Sequence, residues 1–428
     1  MAGKKRGLTL EELEKAVRSV YLIADPFITK FIVAMMISQR LQNDPIWTVI
    51  VAPPGGGKSE FVNMLSKCKG VHAISTITAR TLVSGQKKPG HETSLLMKIG
   101  TQGIITFKDL TSLLSENKDD RAVIMGQLRE IFDGKYDKTF GTGETISWKG
   151  KITVIAGSTY KIHSLREHYS AMGERFLFYN LIQPERIEVT RRAMDNQQTG
   201  DLNAHRERMS DLMQEYIDES VEIPEKLPKL EYDLQEKIIL IAELATRARS
   251  TTERNWRSPK QEITEVYPPE MPTRFAASIT ALANALAIIN YNETSKFTLT
   301  EDDQKILFKI GLDSVSRSKH TAMQELSKYD VLQTAGLATK IGFPTQTVRL
   351  WLEDLTALGI AEREPGSGKK GDRWKILPKY KDLIIELDHI EVVGGELEDE
   401  EGDNAQEKPD KETFTKAEAK AKEDFKSF

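Results

Sequence analysis

The 428 residues carry a net charge of −4, with 39% hydrophobic and 29% charged side chains, the balance of a soluble globular chain of two or three domains and not of a disordered or membrane-embedded one. The slightly acidic total excludes a globally basic surface, so any nucleic-acid contact has to be local. The single cysteine, Cys68, excludes an intrachain disulfide and a cysteine zinc cluster, and fits a reducing cytoplasm.

No signal peptide is expected, because Met1-Ala2-Gly3-Lys4-Lys5-Arg6 is followed by no apolar core. The best apolar run, residues 31–37, stops at Ser38-Gln39-Arg40, too short to cross a bilayer, so no membrane partner is expected. Residues 8–42 read as helical, with Thr9 as N-cap and Glu12 three residues on completing a capping box. This segment, 1–42, is expected to pack on the rest and not to form a domain of its own.

Ile46-Trp47-Thr48-Val49-Ile50-Val51 reads as a buried strand. Ala52-Pro53-Pro54-Gly55-Gly56-Gly57-Lys58-Ser59 follows, and then Glu60-Phe61-Val62-Asn63-Met64-Leu65 opens a helix. Strand, glycine-rich turn, Gly-Lys-Ser and helix make the context a phosphate-binding loop requires. Glycines let backbone N–H groups converge on phosphate oxygens, and the helix N-terminus adds partial positive charge. Pro54, Gly55, Gly56, Gly57, Lys58 and Ser59 are therefore the nucleotide-binding candidates: Lys58 for the β- and γ-phosphates of ATP, Ser59 for Mg²⁺. Ala52 stands where the first glycine is usual.

Residues 71–78 read as a second strand and 84–93 as a polar loop. The stretch 103–114 is an apolar strand running into Lys108-Asp109-Leu110. A phosphate-loop enzyme needs a carboxylate at such a strand end to hold Mg²⁺ or to polarise water. Asp109 fills either the base slot, with Lys108 in the metal slot, or the metal slot, with Leu110 in place of the base. In both registers one carboxylate is missing, and a core strand ending in an exposed Asp is the alternative. Residues 119–132 read as a helix, and 135–149 as a β-hairpin around Gly141-Thr142-Gly143. Residues 151–159 read as a core strand ending in Ser158-Thr159, and Met172-Gly173-Glu174-Arg175-Phe176 puts an arginine in a turn before an apolar stretch.

This order over roughly 40–320 resembles the AAA+ ATPases, and the hairpin just before a core strand resembles the clade that includes MCM helicases and bacterial enhancer-binding activators. The resemblance implies a sensor-1 role for Thr159 or Ser158, where Asn is more usual. The Gly-Glu-Arg-Phe turn is similar to the Ser-Arg-Phe-Asp turn of MCM proteins, which implies that Arg175 is an arginine finger reaching a neighbouring subunit's γ-phosphate. A surface arginine in a salt bridge is the alternative. A finger acting in trans implies a homo-oligomeric ring, a hexamer, with lone subunits nearly inactive.

Residues 183–320 are dominated by helical patterns broken by prolines at 224–228 and 268–272. Met271-Pro272-Thr273-Arg274-Phe275 opens an Ala- and Leu-rich helix that resembles the lid helix carrying sensor 2, which gives Arg274 that role; a structural first-turn arginine is the alternative.

Residues 322–377 read as a winged helix. The candidate recognition helix is 346–359, with apolar positions 348, 352, 355 and 358 on one face and Thr345, Gln346 and Arg349 toward a major groove. Wing strands at 360–363 and 373–376 flank a basic tip, so Lys369, Lys370 and Arg373 are phosphate candidates. From about residue 392 the chain turns acidic and reads as disordered, a tail for solubility or for docking a replication protein.

The expected fold is thus α/β: an N-terminal helical segment (1–42), an AAA+ phosphate-loop core with a parallel sheet flanked by helices (43–182), a helical lid (183–320), a C-terminal winged-helix domain (321–392) and an acidic tail (393–428). The expected function is an ATP-hydrolysing DNA motor, a helicase-like protein of phage or mobile-element replication. Its hairpin tip at Thr142, with Lys138 and Lys149 on the strands, would line a channel and grip DNA phosphates. The second expectation is an ATP-gated DNA-binding switch, as in origin recognition or helicase loading, which the incomplete acidic pair favours. A transcription regulator is a third and weaker one, lacking the activators' Gly-Ala-Phe-Thr-Gly-Ala insert.

Overall fold

Helix α1 (Leu10–Val20) starts where the capping box places it: Glu12 N donates to Thr9 Oγ1 at 3.2 Å and Thr9 N donates to Glu12 Oε2 at 2.8 Å. Helix α2 (Ile28–Ser38) is apolar all round, and every residue but Lys30 is buried. It is the apolar run of the N-terminal segment, and it sits in the middle of the core, not against its outside. Lys30 itself is pinned by Asp303 at 2.6 Å and Asn290 Oδ1 at 2.9 Å. Described here, in a computed structural model, are residues 7–78, 80–84, 94–110, 116–141, 143–163, 175–227, 229–366 and 371–388. Among them no helix is long and apolar enough to cross a membrane. The tail 393–428 lies outside the described residues.

Strands β1 (Trp47–Val51), β2 (Val71–Ile74), β3 (Gln102–Phe107), β6 (Lys151–Ser158) and β7 (Phe176–Asn180) form one parallel sheet in the order β2-β3-β6-β1-β7. The central strands are buried on both faces, as parallel strands under helices must be, which is why β1 reads as an unbroken apolar run. One face, carrying Ile50, Ile104, Ile155 and Tyr179, packs with α2 and α3 (Lys58–Asn63). The other, carrying Val49, Val51, Ile105, Phe107 and Val154, packs with α4 (Leu95–Ile99) and α5 (Lys118–Phe132). This α/β sheet flanked by helices is compatible with a phosphate-loop core. Strand β2 is shorter than the expected 71–78, because Thr78 turns the chain by accepting and donating to Thr81.

The expected hairpin is present as β4 (Lys135–Thr139) and β5 (Thr145–Lys149). One of its faces is not available to a ligand. Tyr136 and Trp148 are buried in the second core cluster, and Trp148 Nε1 donates to Gly100 O at 2.7 Å.

The helices that follow are α6 (Arg186–Thr199), α7 (Leu202–Gln214) continued by a π turn (Glu215–Ser220), α8 (Tyr232–Ala248), α9 (Thr273–Thr294) and α10 (Glu301–Asp313). Between α8 and α9 stands a two-stranded antiparallel ribbon, β8 (Thr252–Arg254) and β9 (Ile263–Val266). Then come α11 (Arg317–Ser327), α12 (Thr334–Ile341) and α13 (Thr345–Ala357), with β10 (Leu332–Gln333), β11 (Ala361–Glu364) and β12 (Arg373–Ile376) in the antiparallel order β10-β12-β11, and α14 (Pro378–Asp388). Val348, Leu352, Leu355 and Leu358 are all buried, the face that helical spacing predicts. Trp374 is fully buried and its Nε1 donates to Thr334 Oγ1 at 2.8 Å, which ties β12 to the start of α12.

Candidate functional site

The carboxyl ends of β1, β6 and β3 converge, the place where open parallel sheets hold ligands. Ala52 N, leaving β1, donates to Ser158 O at 3.1 Å, and Leu110 N, just past β3, donates to Gly157 O at 2.7 Å. Residue 157 has to be glycine for that approach: a Cβ there would come within 2.6 Å of Lys108 O and 3.5 Å of Lys58 Cγ.

The loop after β1 is built to receive an anion. Gly55 and Gly57 hold φ of +77° and +80°, a region other residues enter only with strain, and a Cβ on either would meet no protein atom within 4 Å. The space at both Cβ positions is open. Helix α3 starts at Lys58 with Gly57 as N-cap and no side-chain cap. The amides of Gly55, Gly57, Lys58 and Ser59 donate to no acceptor among the described residues, as the first amides of a helix do. Pro54 is exposed at the loop's tip. Lys58 is only 6% exposed and folds back over the loop, its Nζ 3.4 Å from Pro53 O. Ser59 is half-buried one residue on, its hydroxyl in the first helical turn. The residues present fit a polyphosphate, with Ser59 as a protein oxygen for a Mg²⁺ that would take its remaining ligands from phosphate and water.

The acidic side of the site is thin. Thr106 and Lys108 share one pleat and line a groove with Glu60 and Asn63, so a lysine occupies the position facing α3. Asp109, two residues past the end of β3, is exposed. Ser158 is fully buried at the end of β6, and Thr159 next to it is half-buried.

Three contacts at this site lie beyond what sequence patterns signal. Gln183, just past β7, reaches Gly56, which could carry no Cβ without coming 2.6 Å from Gln183 Oε1. Glu60 accepts from Arg206 Nη2 at 2.5 Å and Nε at 2.9 Å, and from Tyr21 Oη at 3.1 Å. Burial, with the Glu60 charge second, pushes the Tyr21 phenol well above its usual value. This triad ties the N-terminal segment, α3 and α7 together around a cavity of about 320 Å³, lined among others by Tyr21, Ile23, Gly57, Gln183 and Asn196. That volume lies in the small-molecule range.

Arg175 is at the opposite end of the strands from this loop. Phe176 pairs with Trp47 at the start of β1, whereas the phosphate loop leaves its end. Five strand residues separate them by about 16 Å. Arg175 Nη2 donates to Asp133 at 2.8 and 3.1 Å, and the guanidinium lies 5.5 Å over the Phe132 ring. Burial lowers its pKa, Asp133 opposes this, and the charges of Arg274 and Arg129 lower it further. Arg274 stands in the first turn of α9. It is half-exposed and has no hydrogen-bond or ion-pair partner among the described residues.

The nucleic-acid candidates divide. Lys138 lies on the inner face of the hairpin with Tyr136, its Nζ 3.5 Å from Val83 O and 5.3 Å from the Phe140 ring. Lys149 is exposed but at the hairpin's base, opposite Lys135. Thr345 and Gln346 are exposed in the first turn of α13. Arg349 is engaged instead by Glu353 and Gln346, and donates to Lys260 O at 2.9 Å, because the β8–β9 ribbon lies against this helix. Arg373 is exposed and pairs with Glu364 at 2.9 Å. Thr142, Lys369 and Lys370 lie outside the described residues, as do Gly173 and Glu174 before Arg175. No protein-family model and no curated protein matches the chain.

Proposed function

We propose that the chain is an ATP-hydrolysing DNA motor of the AAA+ kind, an oligomeric ring whose sites are shared between neighbours. In this reading 186–313 is the helical lid and 317–388 a winged helix. The loop amides and Lys58 cradle the triphosphate and Ser59 contributes to holding Mg²⁺. The observation that carries the reading is the division of charge across the sheet. The glycine-rich loop is at one end of the sheet's strands, and Arg175 is at the other, out of reach of its own loop. An arginine so placed completes a second subunit's site, where it stabilises charge developing on the transferred phosphoryl group. DNA is the substrate of the motion, held by the exposed hairpin face and positioned by the C-terminal module. The acidic tail offers a docking segment for replication proteins, and the single reduced cysteine suits the cytoplasm. The test is strand displacement on forked DNA with ATP: the parent displaces the strand and Lys58→Ala does not. Equal displacement by both contradicts the motor.

The placement of Lys108 favours a second reading, an ATP-gated DNA-binding switch. With a lysine facing α3 and a single carboxylate beyond it, hydrolysis would be slow. ATP-dependent DNA retention without strand displacement would select the switch over the motor.

A further inference from the structure

The β8–β9 ribbon carries Trp256 at its tip, 67% exposed, in a chain that buries Trp47, Trp148 and Trp374 almost completely. The tip is held firmly without it. Arg254, nearly buried, donates to Gln261 O at 2.8 Å across the loop and to Glu353, Leu350 O and Asp354 on α13 at 3.0, 2.8 and 2.6 Å. Thr252 Oγ1 donates to Asp354 at 2.7 Å, and Arg349 donates to Lys260 O. Inside the loop Ser258 N donates to Asn255 O and Gln261 N to Ser258 O, and Gln261 is locked at φ +51°. An indole on so fixed a loop, turned away from the core, contributes nothing to packing. It keeps its apolar area in water, where a partner can use it.

The surroundings of Trp256 say what that partner is. Arg257 is exposed next to it and its guanidinium has no partner among the described residues. Lys260 is exposed, with only a loose 3.9 Å contact to Glu262. Behind them a groove of about 310 Å³ is walled by Lys260, Arg349, Arg363 and Trp374, with Glu262 and Glu353 as its acids. An exposed flat ring flanked by exposed cations is the pattern that binds single-stranded nucleic acid, with the ring under a base and the cations on phosphates. In a duplex the base faces are already stacked on one another.

We propose that the β8–β9 tip is a single-strand nucleic-acid contact, in which a base stacks on Trp256 while Arg257 and Lys260 hold the flanking phosphates. This rests on the nucleic-acid part of the function proposed above and not on hydrolysis. The test is fluorescence anisotropy with a labelled oligothymidylate and the full chain, without nucleotide. Trp256→Ala is expected to bind about 5- to 100-fold more weakly, and Trp256→Phe, which keeps a ring, to recover most of the loss. Arg257→Gln with Lys260→Gln is expected to reduce the slope of log affinity against log salt by about 1.4. The ring is exposed, so the variants should keep the parent's melting temperature. Parent-like binding by Trp256→Ala overturns the inference and leaves DNA binding standing. A loss seen only with duplex overturns the single-strand assignment. Failure of the parent to bind any DNA overturns both.

Discussion

At the scale of single residues, the nucleotide site is defined by what the glycines leave open. Gly55 and Gly57 hold positive φ with no protein atom near the position of a Cβ, and the amides of Gly55, Gly57, Lys58 and Ser59 donate to no acceptor among the described residues. Gly57→Ala would strain the backbone by about 1 kcal/mol and place a methyl group where phosphate belongs. The expected outcome is a melting temperature lowered by only about one degree and ATP affinity lowered more than about tenfold, read by calorimetric titration. Lys58 and Ser59 were legible because a phosphate imposes both residue types and spacing. Asp109 was legible only as an ambiguity between two slots; the structure adds that Lys108 lines a groove with Glu60 and Asn63 of α3. Gln183 and the Tyr21–Glu60–Arg206 triad left no signal, since side chains brought together from distant segments obey no spacing rule.

At the scale of elements, strands and helices with strong periodicity stand where the sequence puts them, and the surprises lie where tertiary context decides. Helix α2 was readable as apolar, but not as the helix wedged between the sheet and α9, because a run apolar all round has no preferred face. The β8–β9 ribbon is short and charged, so its pattern is too weak to mark strands; the bonds of Arg254 to α13 hold it. Those bonds also occupy the face of α13 that was expected to read DNA. The C-terminal end of α2 has its own tether. Lys151 Nζ donates to Ser38 O, Leu41 O and Asn43 Oδ1 at 2.9, 2.8 and 3.3 Å. Burial pushes this ammonium down to about 8 from its usual 10.5, with Asp44 opposing. Between those two values the unfolded chain binds more protons than the folded one, so the Lys151 contribution to stability rises with pH there and is flat below about 8. Melting curves of the parent and Lys151→Met should therefore diverge in the parent's favour as pH rises from 8 to 10.5, and keep a constant offset from pH 6 to 7.5.

At the scale of the whole molecule, the loop after β1 and Arg175 lie at opposite ends of the sheet's strands, and this separation carries the proposed shared site. In the proposed reading each chain offers one half of a site at each end, so head-to-tail contact repeats the same joint from subunit to subunit, and closure gives a ring. A lone chain would hold nucleotide and hydrolyse it slowly. The direct measurement mixes two inactive proteins, Lys58→Ala and Arg175→Ala, and follows ATP hydrolysis with DNA present. In random mixed rings about a quarter of the joints combine an intact loop with an intact arginine. The account predicts that activity absent from either variant alone returns to roughly that fraction of the parent's. Mixed rings that form and stay inactive, or an Arg175→Ala protein as fast as the parent, would contradict it.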